Sequence, residues 1–114
     1  MSANFYAWPA TFELNPNAKD FEARIEALYD TPREPDPKLQ AFVAALLERY
    51  PDLSEENPEA VWAAGPLQDE VVGSFLNVAV AWKRSDEVWA FFHETARTHG
   101  LVCYDPQSER IYEP

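Results

Sequence analysis

Apolar residues recur three or four positions apart in three segments of the chain, the spacing that places side chains on one face of a helix. The clearest segment begins at Pro37, with Asp36 at the N-cap position, and it ends before Pro51. A second segment follows Asn17 and a third follows Ser85, and both residue types are good N-caps. The three predicted helices cover residues 17–29, 37–50 and 85–99.

Other segments have the pattern of β-strands. The opening of the chain is rich in aromatic residues, which favour strands. A later run alternates between two faces and places Trp82 on the same apolar face as Val78 and Val80. The prolines and glycines of residues 52–74 predict a loop with short extended pieces. The predicted strands cover residues 4–8, 75–82, 101–104 and 110–112.

The order of these elements predicts an α+β fold. We expect one domain over residues 1–114, a two-layer sandwich in which about three helices lie mainly on one face of a mixed β-sheet, in the order β-α-α-loop-β-α-β. A chain of 114 residues, 46% of them hydrophobic, can bury a core without a metal or a disulfide. The one cysteine, Cys103, allows no internal disulfide.

The chain is strongly acidic, with 20 Asp and Glu residues against 9 Lys and Arg and a formal net charge of -11. A direct nucleic-acid partner is therefore not expected, because phosphate binding requires a basic surface. No stretch approaches the roughly 18 apolar residues that a membrane span needs, and the opening residues lack the pattern of a signal peptide. We expect a cytoplasmic monomer or weak homodimer with no membrane partner.

The interval between Arg49 and Lys83 contains six acids and no Lys or Arg, so it carries -6 of the net charge of -11. Such a surface attracts a basic partner and raises its association rate, although solubility explains an acidic surface equally well. A tryptophan among acids is a candidate contact residue at an interface, although packing in the core is the more common role. The candidate partner-binding residues are Asp52, Glu55, Glu56, Glu59, Trp62, Asp69 and Glu70.

Catalytic and metal chemistry receive less support from the residue pattern. His93 and His99 are six residues apart, whereas a helical metal pair needs a spacing of three or four. Cys103 lies in an apolar strand, where a free cysteine usually behaves as a small hydrophobe. We predict a protein that is not an enzyme and that needs no metal or cofactor. The alternative is a small enzyme that uses Cys103 or one of the carboxylate pairs at 55–56 and 69–70.

Several segments of the chain resemble a group of small acidic bacterial proteins. The shared pattern comprises "FYAW", "PKLQAFVAALLERYPDL", "VWAAGPL", a strand ending in "AW" and, most specifically, "HGLVCYDPQ". The resemblance covers most of the chain and carries no catalytic residue. It implies a cytoplasmic, non-enzymatic immunity protein of a bacterial toxin–immunity system. Such a protein binds and neutralises a cognate toxin, here a basic protein domain.

Overall fold

The computed structural model describes residues 2–31 and 33–114, which form a five-stranded sheet with helices on both faces. The α+β fold and the order of the elements agree with the sequence prediction. The strands are β1 (Ser2–Pro9), β2 (Val71–Val72), β3 (Phe75–Ala81), β4 (Leu101–Asp105) and β5 (Arg110–Tyr112). The helices of the described residues are α1 (Phe21–Asp30), α2 (Pro37–Arg49) and α3 (Ser85–Thr98), with short 3₁₀ helices at Leu67–Glu70 and Trp82–Arg84.

The aromatic opening strand β1 lies at the centre of the sheet, whose order is β2-β3-β1-β4-β5. On β1, Tyr6 is opposite Asn77 of β3 on one side and Tyr104 of β4 on the other. All pairs among the described strands are antiparallel. The sheet therefore differs from the mixed sheet that we expected. The strands β3 and β4 run in the same direction, but β1 separates them, so they form no parallel pair.

The two faces of the sheet are covered by different helices because both faces are apolar. Helices α2 and α3 cover the face that carries Phe5 and Val78, and they contribute the buried Phe42 and Phe92. Helix α1 covers part of the opposite face, where Phe21 packs with aromatic residues of three strands. Two of the three helices therefore share one face, as the sequence predicted, and the third forms a partial additional layer.

Helix α2 begins as its sequence predicts, whereas α1 begins later. Asp36 accepts a hydrogen bond from the Lys38 N–H at 2.8 Å and so caps α2. The predicted helix after Asn17 starts only at Phe21. The Asn17 N–H instead donates to the side chain of Asn15 at 3.0 Å. Such local side-chain bonds compete with the first helical turn, which explains the late start.

Trp82 lies outside the core, contrary to the prediction that it continues the apolar face of β3. The strand ends at Ala81, and Trp82 begins a 3₁₀ helix in which its indole is 50% exposed. The Ser85 hydroxyl donates to the Trp82 carbonyl at 2.9 Å and fixes this turn. Ser85 is therefore the first residue of α3, and its side chain does not cap the helix.

The replacement Asp36→Ala is expected to lower the free energy of unfolding by about 1 kcal/mol, because the cap of α2 is lost. Asp20→Ala is the matched control, since Asp20 precedes α1 in the same position without a capping bond. This control should cost less than about 0.5 kcal/mol. Urea unfolding followed by circular dichroism measures both values, and equal losses would contradict the capping role of Asp36.

Candidate functional site

Residues 52–59, here called the acidic loop, are held in a fixed shape by their own polar side chains. The Asn57 side-chain amide donates to the Asp52 carbonyl at 3.0 Å. The Asn57 N–H donates to the Ser54 carbonyl at 3.1 Å and lies 3.2 Å from its hydroxyl. The acidic side chains Glu55, Glu56 and Glu59 are exposed around this framework. The loop therefore presents three carboxylates from a backbone that is already ordered.

Asp52 connects the acidic loop to the segment that follows it. Its Oδ1 accepts hydrogen bonds from the Leu53 N–H at 2.9 Å and from the Leu67 N–H at 3.1 Å. Gly65 permits this approach, because a Cβ at that position would lie 3.0 Å from the same oxygen. Asp52 thus positions the loop, and its direct contact with a partner stays a prediction.

Trp62 belongs to the core, which corrects its prediction as a partner contact. Only 1% of its surface is exposed. Its Nε1–H donates to the Tyr50 carbonyl at 2.9 Å, and its backbone forms an antiparallel bridge with Val80 of β3. A side chain in this position cannot touch another protein. Its indole instead attaches the segment after the acidic loop to the end of α2, and its backbone attaches the same segment to the sheet.

A groove of about 480 Å³ lies between the acidic loop, the end of α2 and the beginning of α3. Glu56 and Glu59 line it together with Arg49, Arg84 and Glu87. These three glutamates and two arginines leave one excess negative charge. The interval without cations in the sequence is therefore not a surface without cations, because the fold brings arginines from both flanking helical segments beside it.

The centre of this groove is a small polar network. The Tyr50 hydroxyl donates to Glu87 Oε2 at 3.3 Å, and Arg84 Nε forms an ion pair with Glu87 Oε1. The hydrogen bond from Arg84 lowers the pKa of the Glu87 carboxyl, and the same bond raises the pKa of Arg84. The Arg49 guanidinium lies 5.2 Å from the centre of the Tyr50 ring. The groove thus presents fixed charges of both signs.

The residues that complete the groove were not identified from the sequence. One local feature could have indicated that cations lie close to the acids. Arg49 and Lys83 mark the ends of the cation-free interval, so the nearest cations in sequence flank the acids. The adjacency of α2 and α3 is a long-range contact that no local pattern encodes. The residues that the sequence did not single out are Arg49, Tyr50, Arg84 and Glu87.

Asp69 and Glu70 do not line the groove, although their 3₁₀ helix begins at Leu67, whose N–H donates to Asp52 of the acidic loop. Their 3₁₀ helix is attached to the first half of α2, where the Gln68 side-chain amide donates to the Gln40 carbonyl at 3.1 Å. Gln40 precedes Arg49 by nine residues, or about 14 Å along a helix axis. Partial burial, together with the charge of Asp69, raises the pKa of Glu70.

Cys103, His93 and His99, which were considered for catalysis or metal binding, have different neighbours in the fold. Cys103 is 1% exposed on β4, and burial, with a smaller effect of Asp105, raises its pKa to about 12. A thiol in this environment is not a ready nucleophile. His93 lies against Tyr112 at a ring distance of 4.4 Å, whereas His99 Nδ1 lies 2.8 Å from the Thr95 carbonyl. No group of three or more potential metal ligands occurs among residues 2–31 and 33–114.

Comparisons of the chain with protein-family models, with curated proteins and with solved structures find no match. Within the described part of the chain, none of the helices is long and apolar enough to cross a bilayer. The site that the structure offers is therefore defined by its own residues. It consists of the exposed glutamates of the acidic loop and the mixed-charge groove beside them.

Trp62→Phe is expected to lower the free energy of unfolding by about 1–2 kcal/mol, because the buried Tyr50 carbonyl loses its indole donor. Trp82→Phe is the matched control, since this indole is half exposed and should cost less than about 0.5 kcal/mol. Both values can be measured by urea unfolding. A loss for Trp82→Phe as large as that for Trp62→Phe would refute the different roles assigned to the two side chains.

The Cys103 thiol is expected to react with Ellman's reagent at least about 100-fold more slowly in the native protein than in denaturing guanidinium chloride. Burial within the sheet and the raised pKa both suppress the thiolate. Absorbance of the released chromophore measures the two rates. Similar rates would show an accessible thiol and would favour the thiol-enzyme alternative.

Proposed function

We propose that this protein is a non-enzymatic, immunity-like inhibitor that binds a basic toxin domain through the acidic loop. The observation that carries this proposal is the unpaired state of the three exposed carboxylates Glu55, Glu56 and Glu59. In the described part of the chain, ion pairs form only between Arg84 and Glu87 and between Glu94 and Arg97. The loop charges are thus free to pair with cations of another protein. The resemblance to immunity proteins supports the same function.

The electrostatics of the acidic loop favour a cationic partner. Neighbouring negative charges repel one another, and this repulsion is relieved when a basic surface approaches. Charges of one sign on an exposed loop also steer such a partner and increase its association rate. If the toxin is a nuclease, the loop would cover the basic surface that binds the phosphate backbone. Inhibition then results from occlusion and needs no chemical step.

The groove beside the loop adds specificity to this attraction. Arg49 and Arg84 place positive charges within reach of the same partner, so a correct partner must present acids opposite them. Arg49, which forms no ion pair in the described part of the chain, would locally repel a uniformly basic protein, and this discriminates among cationic partners. The internal hydrogen bonds of Asp52 and Asn57 order the loop before binding and reduce the entropy cost of association.

Under this proposal the remaining acids play a different part. Asp69 and Glu70 do not line the groove, and in this proposal they contribute mainly to the long-range field. The inhibitor acts in the cytoplasm as a monomer or weak homodimer, so that its loop is available to one toxin domain.

The combined replacement Glu55→Lys, Glu56→Lys and Glu59→Lys is expected to weaken toxin binding by at least about 100-fold, because attractive charge pairs become repulsive. The product of the reading frame directly upstream of this gene is the test ligand, and calorimetry measures its dissociation constant. Affinity of the unaltered protein should also fall as the salt concentration rises to about 0.3 M, where exposed charges are screened.

A matched control separates contact from net charge. Glu26→Lys, Asp30→Lys and Glu34→Lys change the total charge equally, but these exposed residues lie in or just after α1. This control should weaken binding by less than about tenfold, through reduced steering alone. Absence of binding by the unaltered protein would refute the inhibitor function. Equal effects of the two triple variants would refute the acidic loop as the contact surface.

A further inference from the structure

A second cleft lies next to the groove, on the other side of the first turn of α3. Arg84 and Glu87 of this region face the groove, whereas Trp82 and Asp86 line the second cleft. Asp105 and Gln107 form its opposite wall, and Phe5 contributes to its apolar part. The volume is about 140 Å³. This is below the roughly 300 Å³ of pockets that enclose small-molecule ligands, so the cleft suits the end of one side chain.

The exposed Trp82 is the most distinctive residue of this cleft, here called the Trp82 cleft. Three tryptophans of the chain are buried or half buried, and only Trp82 is exposed. The bond from the Ser85 hydroxyl to the Trp82 carbonyl fixes the backbone beneath it. Exposed aromatic residues on a rigid backbone bind with a small entropy cost and dominate many interfaces.

The wall opposite Trp82 is ordered and negatively charged. Asp105 accepts hydrogen bonds from the Gln107 N–H at 3.0 Å and from the Ser108 hydroxyl at 3.0 Å. The Gln107 amide in turn donates to the Asn4 carbonyl at 3.0 Å and accepts from the Asn4 N–H at 2.9 Å. These bonds hold the Asp105 carboxylate in place without neutralising its charge.

No cation balances the two carboxylates of the Trp82 cleft among the described residues. Neither Asp86 nor Asp105 forms an ion pair in this part of the chain, and the residues that line the cleft include no Lys or Arg. The negative charge of Asp105 also affects the neighbouring residue Cys103. Burial first, and Asp105 to a lesser extent, raise the pKa of Cys103. An aromatic surface beside two unpaired carboxylates is complementary to an organic cation.

We infer that the Trp82 cleft binds an arginine side chain of a basic protein partner, with the guanidinium between the Trp82 indole and the carboxylates of Asp86 and Asp105. This inference rests on the proposed function for the nature of the partner. Arginine fits better than lysine, because a planar guanidinium stacks on aromatic rings and is more weakly hydrated than an ammonium group. The groove and the Trp82 cleft then lie on either side of the first turn of α3.

The cleft can be tested without a toxin by titrating the protein with N-acetyl-arginine amide and recording two-dimensional NMR spectra. Saturable shifts are expected for the Trp82 indole N–H and the Gln107 side-chain amide, with a dissociation constant of about 1 mM. N-acetyl-citrulline amide is the matched probe, since it replaces the guanidinium by a neutral urea group. It should bind at least about tenfold more weakly.

Variants connect the shifts to the cleft. Trp82→Ala and Asp86→Asn are each expected to weaken binding of the arginine probe by about fivefold or more. Asp86 is exposed and makes no hydrogen bond through its side chain in the described structure, so its variant should fold even if Trp82→Ala does not. Tyr29→Ala and Glu26→Gln are the controls, because they alter an exposed aromatic residue and an exposed carboxylate of α1. They should leave the probe affinity unchanged.

The outcomes distinguish this inference from the proposed function. Equal binding of the arginine and citrulline probes, or shifts that persist in both cleft variants, would overturn the Trp82 cleft as an arginine site. Such results would leave the toxin measurement with the acidic-loop variants unaffected. In the full complex, Trp82→Ala should weaken toxin binding by about tenfold or more. An unchanged toxin affinity for Trp82→Ala, together with a strong effect of the loop reversal, would refute the inference alone.

Discussion

The burial of Trp62 is the constraint on which the arrangement of the candidate site depends. Its indole lies in the core and donates to the carbonyl of Tyr50, the residue that follows α2. This bond closes the chain between residues 50 and 62 into a loop whose two ends are attached to the core. The polar residues in between have no apolar surface to cover, so Glu55, Glu56 and Glu59 extend into solvent. A buried side chain thus determines where the exposed charges lie.

The same attachment explains why the site carries charges of both signs. The loop starts at the end of α2 and passes beside the start of α3, so Arg49 and Arg84 become its neighbours. Arg84 is paired with Glu87, and Arg49 lies over the ring of Tyr50. A protein with a net charge of -11 would attract many cations through charge alone. Fixed arginines next to the acids restrict this attraction to partners with a complementary pattern, which suits the inhibitor proposed above.

Local signals predicted the elements that local interactions determine. Helix α2 followed from its apolar spacing and from Asp36 and Pro37, because a cap and a first-turn proline act within one turn. The start of α1 was misplaced because the side chain of Asn15 bonds to the backbone ahead of the helix. The antiparallel pairing and the groove could not be predicted from local patterns, because β1 reaches its partners across most of the chain and α2 meets α3 through the core. The exposure of the loop glutamates agrees with their turn-rich surroundings.

Trp62 and Trp82 show how packing overrides a local pattern, because the candidate contact residue is buried and the predicted core residue is exposed. Acidic neighbours made Trp62 a candidate contact residue, although core packing is the more common role, and strand alternation predicted that Trp82 is buried. In the fold, Trp62 pairs with Val80 and fills the core beside the end of β3. The strand ends at Ala81, and Trp82 turns outward at the start of a 3₁₀ helix. The tryptophan that a partner can reach is therefore the one that the core excludes. It lies next to carboxylates that are remote from it in sequence, such as Asp105.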